Sequence, residues 1–308
     1  MRIAVTGAAG FIGGAIADAA EARGWEVVRF GRRPVPGILS WDLAGPPPAR
    51  PPVVDAVVHA GAHVADWGPA RLFHQVNVLG TRAVAETFPG TRLVHISSSS
   101  VYPWWEPCID RDEEEVAVGH LGAYGRSKAL ADVEARSHPD ALVLRPHAVY
   151  GPGDRTLLPR LLSNIRRGTL LSVGHPGILH QLTHIGNLTT AALAACSSGA
   201  QGAVNVADAA PVPLGAVLRS VLDATGHGDI AVKYVPRPLA MVLAGVSEAA
   251  ALASRRPPRL TRYAVSQLGM QRTYRLDRLR GRLGVEPIST TLADAGKWMA
   301  EPRHVRPA

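Results

Sequence analysis

Short apolar runs alternate with longer helix-like stretches along the first half of the chain. Arg2-Ile-Ala-Val-Thr6 is an apolar, β-prone run that breaks at Gly7, and a helix-like segment follows from Phe11 to Arg23. Trp25-Glu-Val-Val-Arg-Phe30 reads as a second strand, and Val53 to His59, Arg92 to Ser97 and Ala141 to Arg145 as later ones. Strand-length runs separated by helix-length stretches over residues 1–150 predict an α/β fold: a doubly wound parallel sheet with helices on both faces. Residues 151–308 mix short strands and helices and read mainly as a smaller C-terminal lobe, with some later segments returning to the sheet. The prolines at 46–48, 51 and 52 form a stiff surface connection between strands.

The first turn carries a specific chemistry. Gly7, Gly10 and Gly13 stand directly after a strand and at the opening of a helix whose first residues are Phe11 and Ile12. Gly7 permits a tight turn, Gly10 lets the backbone approach a pyrophosphate, and Gly13 allows the helix to pack close to the strand. Phosphates then meet the helix N-terminus. The context, strand then glycines then helix, points to dinucleotide binding.

Further along, Tyr124 and Lys128 are spaced i, i+4. On a helix this spacing places both side chains on one face, where an ammonium would favour the ionised phenol. A free tyrosine titrates near 10, so a pull downward would bring it into range for proton transfer at neutral pH. By itself this spacing also describes an ordinary surface pair.

Thr6 to Gly13 together with Tyr124 to Lys128 resembles the extended short-chain dehydrogenase/reductase superfamily, and the resemblance covers nearly the whole chain. It implies a Rossmann-type cofactor domain, a C-terminal substrate lobe and hydride chemistry on a carbonyl. Ala60-Gly61-Ala62 resembles the strand end that lines the cofactor cleft, Asn77 the asparagine that orders a proton-relay water, and Asp42-Leu43 the pair that contacts adenine. In this family the catalytic hydroxyl lies four residues before the tyrosine of a Val-Tyr pair, which is Ser98; Ser97 and Ser99 remain candidates one position away, and Ser97 is also expected to contact the cofactor. Lys128 is expected to lower the Tyr124 pKa and to bind the nicotinamide ribose, with Tyr124 beside it. Pro146, His147 and Val149 are expected to line the nicotinamide end, His147 having a purely packing role as its alternative.

After the second strand, Gly31 occupies the place where an acidic residue would hold the ribose 2′-hydroxyl, and Arg32 and Arg33 follow. Two guanidiniums there suit a 2′-phosphate, so NADP is preferred over NAD; the alternative is a pair of solvated arginines. Arg145-Pro-His147, followed by Tyr150-Gly-Pro-Gly-Asp154, resembles the branch of 3β-hydroxysteroid and sterol-carboxylate dehydrogenases and 2-alkyl-3-oxoalkanoate reductases. Nucleotide-sugar enzymes usually carry asparagine near position 147. Three readings follow: a ketoreductase acting on a bulky, largely apolar oxo or hydroxy compound, a nucleotide-sugar epimerase or dehydratase, and a non-catalytic NAD(P) sensor. Retention of Ser98, Tyr124 and Lys128 argues against the last. The resemblance also implies a homodimer through helices of the nucleotide domain.

Composition narrows the remaining classes. The 308 residues are 46% hydrophobic, enough for a substantial core. Two distant cysteines, Cys108 and Cys196, fit neither a disulfide framework nor a metal spacing, and the twelve histidines show no metal-ligating pattern, so no metal is expected. The first strand leaves no room for a signal peptide, and the expected location is cytoplasmic. Residues 1–250 carry 21 Lys+Arg against 21 Asp+Glu, whereas 251–308 carry 12 against 4, so the whole excess of +8 lies in the tail. No nucleic-acid motif accompanies it. Leu239 to Ser254 is mostly apolar but too short to span a bilayer. It reads as an amphipathic or buried helix, a lid over an apolar pocket or a membrane-surface contact.

Overall fold

The structure is a computed structural model describing residues 1–300 apart from Pro34, Glu115, Ala117 and Val118. The last eight positions of the lobe and basic tail expected over 151–308 lie outside the described residues. Seven parallel strands form the central sheet: β1 (Arg2–Thr6), β2 (Glu26–Gly31), β3 (Leu39–Ser40), β4 (Ala56–His59), β5 (Arg92–Ile96), β6 (Ala141–Pro146) and β7 (Gly202–Val206). Their order is β7-β6-β5-β4-β1-β2-β3. β1 therefore lies between β2 and β4, and chain order reverses there, opening a crevice beyond the strand ends.

Period-two alternation explains why both faces are apolar. Ile3, Val5, Val58, Val94, Leu142, Leu144 and Val204 form one buried face. Against it pack Ile16 and Ala20 of the helix Phe11–Ala22, Leu188 and Ala192 of Ile185–Ser197, and Leu279 of Asp277–Leu283. Ala4, Val57, Leu93, Val143 and Ala203 form the other, covered by Val84 of the helix Gly80–Thr87 and Ala135 of Ala123–Arg136. At the C-terminal ends of the strands the second face turns polar. Thr6, His59 and His95 are register partners in one buried row across β1, β4 and β5.

The helix Ile185–Ser197 and β7 follow residue 151 in sequence yet complete the nucleotide-side sheet. The rest of the second half contributes to three small sheets among the described residues, one of them pairing Thr183–His184 with Val149–Tyr150. Thr169–Val173 pairs with Ala231–Val235 and Ile165–Arg166, while Arg272–Tyr274 joins Leu179–His180 to Cys108–Arg111 of the first half.

The Tyr150–Asp154 run has scaffold duties. Asp154 accepts from the backbone N–H groups of Thr156, Leu157 and Leu158 at 2.8, 3.0 and 2.9 Å, capping the helix Leu157–Ser163. The Tyr150 hydroxyl donates to Asp208 at 2.8 Å. This fully buried carboxylate also accepts from the His184 N–H, Asn187 Nδ2 and the Thr290 hydroxyl. Four donors on one buried carboxylate hold the lobe to the sheet without leaving a bare charge.

Candidate active site

The phosphate loop is a cradle sized for backbone. Gly7 has φ +68°, and a Cβ there would lie 2.7 Å from the Gly61 Cα. A Cβ on Gly13 would lie 2.4 Å from the Gly7 carbonyl oxygen, and one on Gly10 would lie 3.0 Å from it. The Thr6 hydroxyl accepts from the Gly61 N–H at 3.2 Å, tying the loop to the Ala60–Ala62 segment. No side chain caps the helix Phe11–Ala22 at Gly10, so its first N–H groups face the crevice without a side-chain partner. Leu43 lies against the next wall, within 2.7 Å of where a Cβ on Gly61 would stand and 2.9 Å from one on Gly80. Asp42, exposed, accepts from the Ala44 N–H at 3.0 Å and shapes that turn. Arg32 and Arg33 are exposed just past β2; the Arg32 charge and partial burial hold the His63 imidazole below its ordinary value. These groups fit a dinucleotide: small where a pyrophosphate needs backbone, apolar at Leu43, and cationic at Arg32.

The three serines separate by their partners. Ser97 donates to Asp132 Oδ2 at 3.0 Å and Ser99 pairs with His147 Nδ1 at 2.8 Å. Ser98 is the one whose hydroxyl favours the ionised Tyr124 phenol, and that hydroxyl accepts from the Ser100 N–H at 3.1 Å. β5 ends at Ile96, so these serines lie on the turn beyond the strand. Tyr124 is the second residue of the helix Ala123–Arg136, its ring between Phe73 (centroids 6.4 Å apart) and Tyr263 (5.8 Å).

Lys128 lies one turn on and is buried, donating from Nζ to the Ile96 carbonyl at 2.7 Å. Loss of water pulls it down to about 8, against the opposing charge of Asp132. Tyr124 is pushed up to about 12, chiefly by desolvation, with the Ser98 hydroxyl opposing and Asp66 adding to the rise. The expected pull of Lys128 on the phenol is not among the causes of that shift. Its ammonium is directed to the strand-end carbonyl, and withdrawal from water outweighs the effect of i, i+4 spacing.

Asn77 sits in a π-helical turn, His74–Leu79, and is buried. Its amide accepts from the His63 N–H at 2.7 Å and donates to the His63 carbonyl and the Ser127 hydroxyl at 3.1 and 2.8 Å. It thus joins the 60–63 loop to the Tyr124 helix. Pro146 ends β6, and His147 beyond it is buried, its N–H donating to Thr183 Oγ1 at 3.0 Å and its ring stacked on His180. Burial holds it well below the usual imidazole range, so it is neutral at pH 7. Val149 is partly exposed, next to Ala148 at φ +45°.

Sequence reasoning missed two features. Asp132, four residues beyond Lys128, meets Arg145 of β6 through two hydrogen bonds of 2.8 and 2.9 Å, with neither side chain exposed. Extending the Tyr124–Lys128 stripe by one more turn would have singled out that carboxylate. The other is the pairing of Asp66 with Arg160 of the second lobe, which bridges the two halves beside the phenol; Asp66 adds to the rise that desolvation causes in Tyr124 and Tyr263. Only the fold brings those residues together. No group of metal-binding side chains occurs among the described residues.

Residues 3–207 match the NAD dependent epimerase/dehydratase family. The chain belongs to that family. It is an NAD-dependent oxidoreductase of the extended short-chain dehydrogenase/reductase type. It is 31% identical to 2-alkyl-3-oxoalkanoate reductase of Stenotrophomonas maltophilia, over 93% of this chain and 95% of that protein. A Stigmatella aurantiaca protein named 4-hydroxy-2-methyl-3-oxo-4-farnesyl-3,4-dihydroquinoline-1-oxide ketoreductase is 29% identical over 92% and 91%. Sterol-4-alpha-carboxylate 3-dehydrogenase of Schizosaccharomyces pombe is 29% identical over 75% and 73%. The fold is shared with MoeE5 in complex with UDP-glucose and NAD, at TM-score 0.72 and 23% identity, over 97% of this chain and 98% of that one.

Replacing Arg145 with Met leaves Asp132 buried and without its bidentate partner; the expected loss is about 3–5 kcal/mol, read as a fall in the urea midpoint. Adding Asp132→Leu should restore most of it. A second expectation concerns acid. His59 is held down to about 3 and His180 to about 4, and His95 and His147 lie well below 6.5, in each case chiefly through desolvation. The unfolded chain takes up these protons first, so stability should fall as pH drops from 6.5 toward 4. Neither His95 ring nitrogen has a hydrogen-bond partner among the described residues. His95→Leu should therefore flatten the dependence of urea midpoint on pH; an unchanged slope would contradict that account.

Proposed function

We propose that the chain is a ketoreductase or alcohol dehydrogenase, preferring NADP, that interconverts a ketone and a secondary alcohol on a bulky, largely apolar substrate. The observation that carries this reading is the convergence of Ser98 on Tyr124 beside the crevice, with Lys128 one turn further along the same helix. The chemistry a nicotinamide supplies when bound there is hydride transfer, to a ketone carbon in one direction and from an alcohol in the other. Ser98 holds the substrate oxygen, and Tyr124 delivers the proton that turns the forming alkoxide into an alcohol. Lys128 would hold the nicotinamide ribose. Asn77 serves the same site by fixing His63 and Ser127 on either side of it. Gly7, Gly10 and Gly13, with the N–H groups of Phe11 and Ile12, take the pyrophosphate, and Asp42 and Leu43 the adenine end. Ala60, Gly61, Ala62, Ser97, Pro146, His147 and Val149 form the remaining walls.

The aromatic flanks of Tyr124, Phe73 and Tyr263, favour an apolar substrate. So does the likeness to 2-alkyl-3-oxoalkanoate reductase at 31% identity. Residues 1–150, with the returning segments, serve as the nucleotide-binding part and residues 151–308 mainly as the substrate lobe. Homodimerisation is assigned to the Ala123–Arg136 helix and its neighbour, where Leu130, Val133, Leu72 and Leu79 are exposed. A nucleotide-sugar epimerase is the competing reading, favoured by the shared fold with sugar-nucleotide complexes.

A ketone panel with NADPH should show net loss of nicotinamide absorbance; conversion of UDP- or dTDP-sugars without net change would favour the competing reading. Tyr124→Phe should lower kcat by about 10²–10⁴-fold while cofactor affinity is retained, and intact turnover would remove the assigned acid. Arg32→Ala should weaken NADPH binding by roughly tenfold, the loss of one charge-assisted hydrogen bond, and leave NADH unchanged; an equal effect on both would reject the 2′-phosphate assignment.

A further inference from the structure

The helix Arg237–Ser254 is built inside out. Its inward residues are small, Ala240, Ala244 and Ala251, and buried. Leu239, Val242, Leu243 and Val246, at i, i+3, i+4 and i+7, are 51, 64, 49 and 63% exposed. Exposed Ala250 and Ala253 extend the same stripe. A surface helix of a globular protein ordinarily turns its large apolar residues inward. Here their hydrophobic driving force is unrealised among the described residues, and a contiguous apolar face of this kind marks an interaction site.

Charge decides what fits it. Residues 231–262 contain six Lys+Arg and a single acidic residue, Glu248. That carboxylate is already paired with Arg262 at 2.7 Å. At the helix end come Arg255 (φ +55°), Arg256 and Arg259, all exposed, and Lys233 is exposed on the preceding strand. An apolar stripe bordered by unneutralised cations complements acyl chains beneath anionic headgroups. A second copy meeting this face symmetrically would bring the same cations against themselves. No described helix is long and apolar enough to cross a membrane, so the helix would lie in the interface plane.

The face is one helix away from the site. Glu248 accepts from the Arg262 N–H at 2.8 Å and Ser247 from the Leu260 N–H at 3.3 Å, fastening Arg237–Ser254 to the helix Arg262–Leu268. Tyr263 of that second helix meets Tyr124 edge to face.

We propose that Arg237–Ser254 docks on an anionic lipid bilayer. Leu239, Val242, Leu243 and Val246 sit at the headgroup–acyl boundary, Arg255, Arg256 and Arg259 lie on acidic headgroups, and apolar substrate enters beside Tyr263 from the lipid. Only the route of entry rests on the apolar-ketone reading.

The test is co-sedimentation of the full chain with phosphatidylcholine vesicles containing or lacking phosphatidylglycerol. Binding should be at least ~10-fold stronger with phosphatidylglycerol, given three arginines at the surface, and should weaken with salt. Val242→Glu with Val246→Glu should abolish it while thermal unfolding and turnover of a water-soluble ketone stay unchanged. Arg255→Ser with Arg256→Ser and Arg259→Ser should remove the preference for anionic vesicles. Failure to bind either vesicle, or binding untouched by the Val242/Val246 pair, overturns the proposal. So does conversion of a dimer to a monomer by that pair in sedimentation velocity, which would make the occupant a second copy. Vesicle binding without any ketone turnover would instead count against the proposed activity and leave docking intact.

Discussion

A single ion pair withdrawn from water holds the Tyr124 helix on the sheet. Asp132 and Arg145 are both fully buried and meet through two parallel hydrogen bonds, and Asp132 also receives the Ser97 hydroxyl and the Arg136 guanidinium. Arg145 turns its remaining donors to the Glu113 carbonyl at 2.8 Å and the Tyr102 hydroxyl at 3.3 Å. A buried pair is tolerated when every lone pair and proton is used, and here nearly all are. The consequence reaches the site in two directions. Along the helix Asp132 lies one turn beyond Lys128 and two beyond Tyr124; across the turn it holds Ser97, next to Ser98.

That arrangement explains the electrostatics of the site. Lys128 is buried, and the neighbouring carboxylate resists its tendency to lose charge. In the structure its ammonium is on the Ile96 carbonyl, and the phenol of Tyr124 lies above its ordinary range. The buried histidines around it, His59 and His95, are held neutral by desolvation and by the Lys128 charge. Burial beside a cation thus keeps the neighbouring imidazoles and phenol uncharged.

The legible and illegible parts of the chain divide by range. The glycines of the first turn were legible because a tight turn and a close helix–strand approach exclude a Cβ whatever surrounds them. The β-runs were legible because strands buried on both faces are continuously apolar. His147 was open between cofactor wall and packing, and its pairing with Ser99 and stacking on His180 depend on segments far apart in sequence. The apolar run 239–254 was legible as a helix, yet its large side chains point outward, because alanines face the neighbouring helix and set how closely the two approach.

By itself the sequence determined the parallel sheet, the glycine loop, and the placing of Tyr124 and Lys128 on one helix face, since each is encoded in residue type and spacing within a few turns of chain. Only the tertiary structure decided how Ser97 and Ser99 are engaged by Asp132 and His147, where the lysine ammonium points, and that Asp66 and Arg160 close the two halves beside the phenol. Those outcomes depend on burial and on contacts between distant segments. Desolvation and long-range pairing are properties of the packed chain, with no local signature for a sequence to display.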